Sequence, residues 1–312
     1  MIVKHNLNPL IVVRYMRMPL IIAVGSTITA VAARRIVDSG AVSVPFAPIG
    51  TLGAALAIFV AIRNNTSYAR WWEARTLLAN IQNNSRILGR QLVAATDNAI
   101  AAGSGGEPAD ILAYRRELLL RIVAFAHLLR IALRGTNDWE TVQSFLPPEE
   151  FARLRSAGNP ANLALQALGI RIKDGVRSGI VGQFDPISLE PNLTALNTWA
   201  TGCERIKNTP TPRQYDYFTR LALAAFCIAL PFGLLSIITP SHDVMLIVVS
   251  LTVASVFIVL ERVGAVLDAP FENATTDVPL SAVCRGIERD LLEQLGEATL
   301  PPLAVPVNGY LW

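Results

Sequence analysis

The sequence predicts an all-α membrane protein with four transmembrane helices per subunit and a helical cytosolic domain. Three observations carry that expectation. Of the 312 residues, 52% are hydrophobic and only 16% are charged, against ~25% charged in a typical soluble domain, and mean hydropathy is +0.41. Four apolar stretches without charge recur, at 18–33, 44–62, 221–240 and 244–260. A bilayer core of ~30 Å needs about 20 such residues in a helix rising 1.5 Å per residue. Between the second and third stretches the periodicity is helical, with no run alternating apolar and polar.

Near the start, Asn8-Pro9 reads as a helix cap followed by its first residue. Arg14 and Arg17 interrupt the apolar residues there, which suits a short interfacial helix with cations among headgroups. The first span follows at 18–33, and Arg34 and Arg35 can snorkel from its far end. Asp38-Ser39-Gly40 is a turn into the second span.

That second span continues without a breaker. Nothing at Arg63 stops the helix: no Pro follows, Gly89 is the one late Gly, and Ala, Arg, Leu, Glu and Gln sustain helix propensity to about residue 101. One helix therefore starts in lipid and projects into water.

Residues 101–110 (AAGSGGEPAD) form a flexible connector, and no Lys follows the glycines as a phosphate-binding loop requires. An amphipathic helix is expected over 111–135, capped by Asp110 and ended by Gly135. A turn, a Pro-Pro entry into a short helix and a stop at Gly158-Asn159-Pro160 come next. Further helices are expected at 162–176 and 190–207, joined by a Gly-rich linker at 177–188 and broken at 209–212 (TPTP).

Pro231 and Gly233 are expected to kink the third span, and the fourth can continue past Glu261-Arg262. Ser281 should cap a last helix to about residue 295. The tail EATLPPLAVPVNGYLW is Pro-rich and extended, with Tyr310 and Trp312 as docking anchors. The domain division is 1–62 for the N-terminal helix and spans one and two, 63–216 for the cytosolic block, 217–267 for spans three and four, and 268–312 for the C-terminal helix and tail.

Charge sets orientation and excludes some partners. The net charge of +3 is small, and scattered Arg gives no basic face for nucleic acid. Links 39–46 and 240–243 lack Lys and Arg, whereas 63–220 is rich in Arg. The positive-inside rule puts that block and both termini in the cytoplasm, with the chain crossing the cell's inner (plasma) membrane. Arg34 and Arg35, at the outer end of span one, dissent. No secretory signal with a small-residue cleavage site precedes the first span. Cys203, Cys227 and Cys284 are odd in number and widely spaced, so free thiols are expected.

Catalytic signals are missing. His5, His127 and His242 stand in separate contexts without metal-ligand spacing, and neither a nucleophile elbow nor a nucleotide fingerprint occurs. No enzyme activity, cofactor or metal site is predicted. His127, on an amphipathic helix, is expected to be a satisfied core histidine.

One face of the long helix stands out. Stepping by threes and fours, Ala54, Ile58, Ile62, Asn65, Ala69, Trp72, Thr76, Asn80 and Asn83 share an azimuth. It passes from small or branched apolar residues to amides and a hydroxyl. An ordinary core-facing stripe followed by a surface stripe would look the same. The sharper reading is a pore, with an apolar constriction opening into a wet, neutral vestibule. Glu73 lies beside the stripe, either as a vestibule carboxylate or as the partner of Arg70 or of an Arg on another helix. Trp71 is expected to pack between helices.

The run AIFVAIRNNTSYARWWEAR, at 57–75, resembles the second membrane helix of bacterial bestrophin channels. The stretches GCERIKNTPTPRQYDYFTR (202–220) and DAPFENATTDVPLSAVCRGIERDLLEQLG (268–296) resemble the same family, and the similarity extends over nearly the whole chain. It implies a homopentamer around a central axis, with membrane lipid and small inorganic ions as partners. It further implies a neck at Ala54, Ile58 and Ile62, a vestibule lined by Asn65, Ala69, Glu73, Thr76, Asn80 and Asn83, and a cytosolic aperture at Phe184.

Ion sign stays open between two readings. The family in general implies chloride and other anions, while bacterial relatives can favour monovalent cations such as Na⁺ and K⁺. Neutral amides serve either, because they offer both N–H donors and C=O acceptors. Animal members switched by calcium carry dense acidic residues after the fourth span. Here only Asp268, Glu272 and Asp277 occur, too few for six or more oxygen ligands, so no calcium switch is expected. A secondary transporter would show internal repeats, yet spans one and two do not resemble three and four. A membrane-anchored scaffold is the remaining alternative.

Overall fold

The computed structural model describes residues 1–4, 9–37 and 42–312, with the side chains of 9–15 left aside. The expectations for Asn8 and for the 38–40 turn lie outside the described residues. Helices dominate: the described residues contain no strand, only isolated bridges Ile2–Tyr310 and Val307–Tyr310. Two compact units form. One comprises 4–71 and 210–269, the other 1–3, 72–209 and 270–312.

The first unit holds the helices that are long and apolar enough to cross a membrane. These are α1 (Pro9–Ile36), the first half of α2 (Phe46–Ala102), α8 (Arg213–Leu234) and α9 (Asp243–Leu267). The separate interfacial helix expected before span one does not exist. α1 is continuous from Pro9, with Pro19 inside it, and its apolar window begins at Met16. Its core gathers Ala23 and Ala30 of α1, Leu56 and Val60 of α2, Leu223, Phe226 and Leu230 of α8, and Leu246, Ala254 and Ile258 of α9.

Small residues allow close approach inside this unit. A Cβ on Gly264 would collide with the Asn64 side chain, and one on Gly53 would sit 2.9 Å from the Phe226 ring. Asn64 also donates from Nδ2 to the Leu260 carbonyl at 2.9 Å. α8 differs from expectation: it starts at Arg213 and stops at Leu234, so Pro231 and Gly233 end the helix instead of kinking a longer one. A short 3-10 turn, Pro240–His242, leads into α9.

The second unit is built around α3 (Pro108–Arg134). Its expected amphipathicity is overturned along 121–131, which is buried on every side. α6 (Pro160–Arg177) packs against it, as does α10 (Leu280–Gln294), and α7 (Asp185–Asn208) packs on α6. Two short helices, α4 (Glu140–Gln143) and α5 (Pro148–Arg155), connect α3 to α6. Five starts and stops are informative. Gly135 takes φ 63° and ends α3 as expected, and Asn159 Oδ1 accepts from Asn162 N at 3.0 Å to cap α6.

The other three correct the expectations. Pro108 occupies the first turn of α3 with Glu107 before it, so Asp110 lies inside the helix and does not cap it. α7 begins at Asp185, with Pro191 inside it, and the linker shrinks accordingly. Ser281 likewise sits within α10 and accepts a hydrogen bond from Arg134 at 2.7 Å instead of capping the helix. The tail is extended: Ala282 N donates to the Trp312 carbonyl at 2.7 Å, and Val3 N to the Gly309 carbonyl at 2.9 Å.

Candidate functional site

α2 runs unbroken for 57 residues and carries every residue of the expected neck and vestibule, whereas Phe184 lies outside it. In the first unit its two faces divide sharply. Leu56 and Val60 face inward and are 1% and 2% exposed, whereas Ile58 and Ile62 are 62% and 59% exposed. Ala54, Asn65 and Ala69 are exposed on the same side as these isoleucines. A helix that already buries Leu56 and Val60 in its own core has no intrachain use for two large branched residues on the opposite side. Large exposed apolar patches mark interaction or functional surfaces.

The second-unit part of α2 repeats the division. Ala74, Leu77, Leu78, Ile81, Ser85 and Leu88 are buried, while Trp72, Glu73, Thr76 and Asn83 are exposed and Asn80 is half-buried. Close packing holds the buried side. A Cβ at Gly89 would lie 2.5 Å from Leu291 of α10, and one at Gly202 of α7 would lie 2.9 Å from Leu77.

Glu73 pairs with Arg205 of α7. Both side chains stay largely exposed, so the pair is solvated and its charge locally neutral. Arg70 is not the partner; its Nε donates to the Asp268 carbonyl at 2.8 Å. The sequence left the choice of cation open because pairing across helices cannot be read along one chain. Trp71 is half-buried and stacks on Tyr68 at 6.3 Å. Phe184 is 78% exposed immediately before α7.

The remaining singled-out residues have ordinary roles. Asp268 accepts from the Thr211 hydroxyl at 3.0 Å. Glu272 pairs with Lys207 at 2.8 Å, and Asp277 is buried, which pushes its carboxyl up. Among the described residues no three His, Cys, Asp or Glu cluster to hold a metal. His127 is a core histidine but not a satisfied one. It stacks on Phe145 at 5.7 Å and lies 3.7 Å from Glu288, yet neither ring nitrogen makes a hydrogen bond. The three cysteines are free and buried.

A group that sequence reasoning missed sits where α2 leaves its apolar half. Arg63 donates to Glu261 of α9 at 2.9 Å and pairs with Asp216 of α8, which Arg220 also holds at 2.7 Å. The only signal was the presence of opposite charges at the ends of three apolar stretches.

The family model for bacterial and fungal bestrophin proteins matches residues 7–293. The chain belongs to the bestrophin family. Among similar proteins is the Escherichia coli voltage-dependent anion channel-forming protein YneE, 33% identical over 267 residues, which are 85% of this chain and 81% of that protein. A voltage-dependent anion channel-forming protein of Ralstonia nicotianae is 33% identical over 254 residues, covering 81% of this chain and 78% of its own length. The solved structure of a bacterial bestrophin homolog from Klebsiella pneumoniae matches with a TM-score of 0.79 at 28% identity, over 90% of this chain and 98% of that one. This bestrophin is therefore a membrane protein with transmembrane helices, and its family points away from enzyme chemistry.

Proposed function

We propose that this bestrophin is the subunit of a homopentameric anion channel of the inner membrane, with four spans per subunit and both termini in the cytoplasm. Five copies of α2 surround the axis. Ala54, Ile58 and Ile62 form the neck, Asn65, Ala69, Glu73, Thr76, Asn80 and Asn83 line the vestibule, and Phe184 forms the cytosolic aperture.

The observation that carries this reading is the exposure of Ile58 and Ile62 opposite the buried Leu56 and Val60 on one helix. A single chain cannot enclose a pore with one helix face, whereas a closed ring of identical subunits can. The anion channel-forming relatives support the ion sign. So does the Glu73–Arg205 pair, which removes the carboxylate ring that would draw cations.

Two measurements test it together. Light scattering of the detergent-solubilised protein should give five subunits. Planar-bilayer recording under a KCl gradient should give single-channel currents reversing toward the chloride equilibrium potential. A stable monomer or dimer, or an absence of channel currents, would sink the reading. Reversal toward the potassium potential would reject its anion selectivity.

A further inference from the structure

The charged group at the Arg63 end of the apolar helices does not balance. Arg63, Arg220 and Arg262 face two carboxylates, Asp216 and Glu261. Glu261 is buried and satisfied, with Arg63 at 2.9 Å and Arg220 at 3.5 Å. Asp216 is shared by Arg63 and Arg220. Arg262 is left with a single long approach, its Nε 3.7 Å from Glu261, and that Nε is buried without a hydrogen-bond partner. One positive charge is thus in excess, and Arg262 bears it.

Beside it opens a cleft of about 180 Å³ between α1, α8 and α9. Arg220, Arg262 and Glu261, the carboxylate that Arg63 and Arg220 already hold, stand at its polar end, and Ile22, Leu223, Ala224 and Cys227 make its wall. Every one of those wall residues lies in a segment apolar enough to span the membrane. Exposed Arg17, one residue before the cleft residue Met18, adds a cation at the same end of α1. Arg17, one of the cations that the sequence suggested for headgroups, therefore lies next to a built feature, in which a buried guanidinium Nε lacking an acceptor tops an aliphatic wall.

From this arrangement we infer that the cleft is a site for one anionic phospholipid. Its phosphate is held by Arg262 and Arg220, and an acyl chain runs along Ile22 and Leu223. Planar guanidinium groups match phosphate oxygens two at a time, and basic pockets between membrane helices recognise anionic headgroups. The wall selects a lipid over a free anion, since inorganic phosphate would gain nothing from Ile22 or Leu223.

Native mass spectrometry of the delipidated oligomer, titrated with phosphatidylglycerol or phosphatidylcholine, tests this without reference to channel current. The wild type should bind phosphatidylglycerol more tightly than phosphatidylcholine. Arg262→Gln should weaken phosphatidylglycerol by about five-fold, the effect expected of one cation near an anionic headgroup, and weaken phosphatidylcholine, whose choline cation offsets its phosphate, by less. Arg262→Lys should keep most of the preference, and Ala224→Phe, which fills the cleft and alters no charge, should lose it. Equal phosphatidylglycerol binding by wild type, Arg262→Gln and Ala224→Phe would overturn the proposal. So would Arg262→Lys failing as completely as Arg262→Gln, or displacement of the lipid by inorganic phosphate at matched concentration.

Discussion

Asp243, the first residue of α9, is half-buried and forms an ion pair with the buried Arg34 near the end of α1. Arg34 also donates to the Ile238 carbonyl at 2.8 Å, and Asp243 takes a second cation, Arg35, at 2.8 Å. These are the two arginines that disagree with the positive-inside rule. Both are partners of one carboxylate about 200 residues further along the chain.

Removing that carboxylate should be costly. Asp243→Asn leaves the buried Arg34 guanidinium without an opposing charge; breaking a fully buried pair from one side costs roughly 3–5 kcal/mol, and the half-buried Asp243 puts this pair below that range. Thermal unfolding in detergent should show a large loss for Asp243→Asn and a small one for Arg35→Gln, whose side chain is mostly exposed. The double variant Arg34→Met with Asp243→Leu should recover much of the difference, because no orphan charge remains. Equal losses for all three would mean that the pair is not what holds α1 to α9.

These arginines also show what a single sequence could and could not reveal. Charge-free length and helix propensity made the four apolar segments and the unbroken α2 visible, because both are local properties. Pairing is not local: Arg34 meets Asp243 and Arg63 meets Glu261 at separations near 200 residues. Helix starts failed at Pro108 and Asp185 because polar residues such as Asp110 and Glu190 imitate helix starts when they actually sit inside the helix, in its first and second turn respectively. α3 was misjudged because Arg115, Arg121 and Arg130 made it look half-solvated. Each is buried with an acidic partner, Asp97, Glu150 and Asp138 respectively. The outward stripe at Ile58 and Ile62 was legible as a pattern, but its exposure needed coordinates.

The Glu73–Arg205 pair yields opposite predictions for its two members. Glu73→Gln leaves Arg205 unopposed, so a pentamer gains five vestibule cations and should shift reversal further toward chloride. Arg205→Gln frees the carboxylate and should shift it toward the cation. The two shifts should shrink together at high salt, since exposed charges are screened beyond ~8 Å at physiological ionic strength. Reversal potentials unchanged in both variants would place the pair away from the ion path.

His127 gives the second unit a defined acid sensitivity. Burial holds its imidazole below the ordinary value of 6.5, opposed by Glu288 and assisted by Arg130 and Arg285. The folded form therefore resists protonation. As pH falls below 6.5 the unfolded chain takes up the proton first, so stability is lost progressively from that point down to the folded value. His127→Phe keeps a ring against Phe145 and removes the titration. Its unfolding temperature should fall less than that of the wild type between about pH 7 and about pH 5.5. Parallel curves would show that other groups dominate acid unfolding.

The neck supplies the last prediction. Ile58 and Ile62 are one turn apart on the exposed face of α2, and Leu56 and Val60 are in the core on the other. If five copies of α2 ring an axis, the isoleucines form two apolar rings in which an ion loses hydration without gaining ligands. Truncation on the two faces should then have different consequences. Leu56→Ala opens a cavity in a packed core and should destabilise by ~2–5 kcal/mol. Ile58→Ala leaves no closed cavity, so oligomer mass and unfolding temperature should stay near wild type while conductance or open probability rises. Ile58→Ala with Ile62→Ala should increase conduction further. Should the Ile58 variant instead lose assembly as Leu56→Ala loses stability, the exposed face would be a subunit interface, and another surface would have to line the pore.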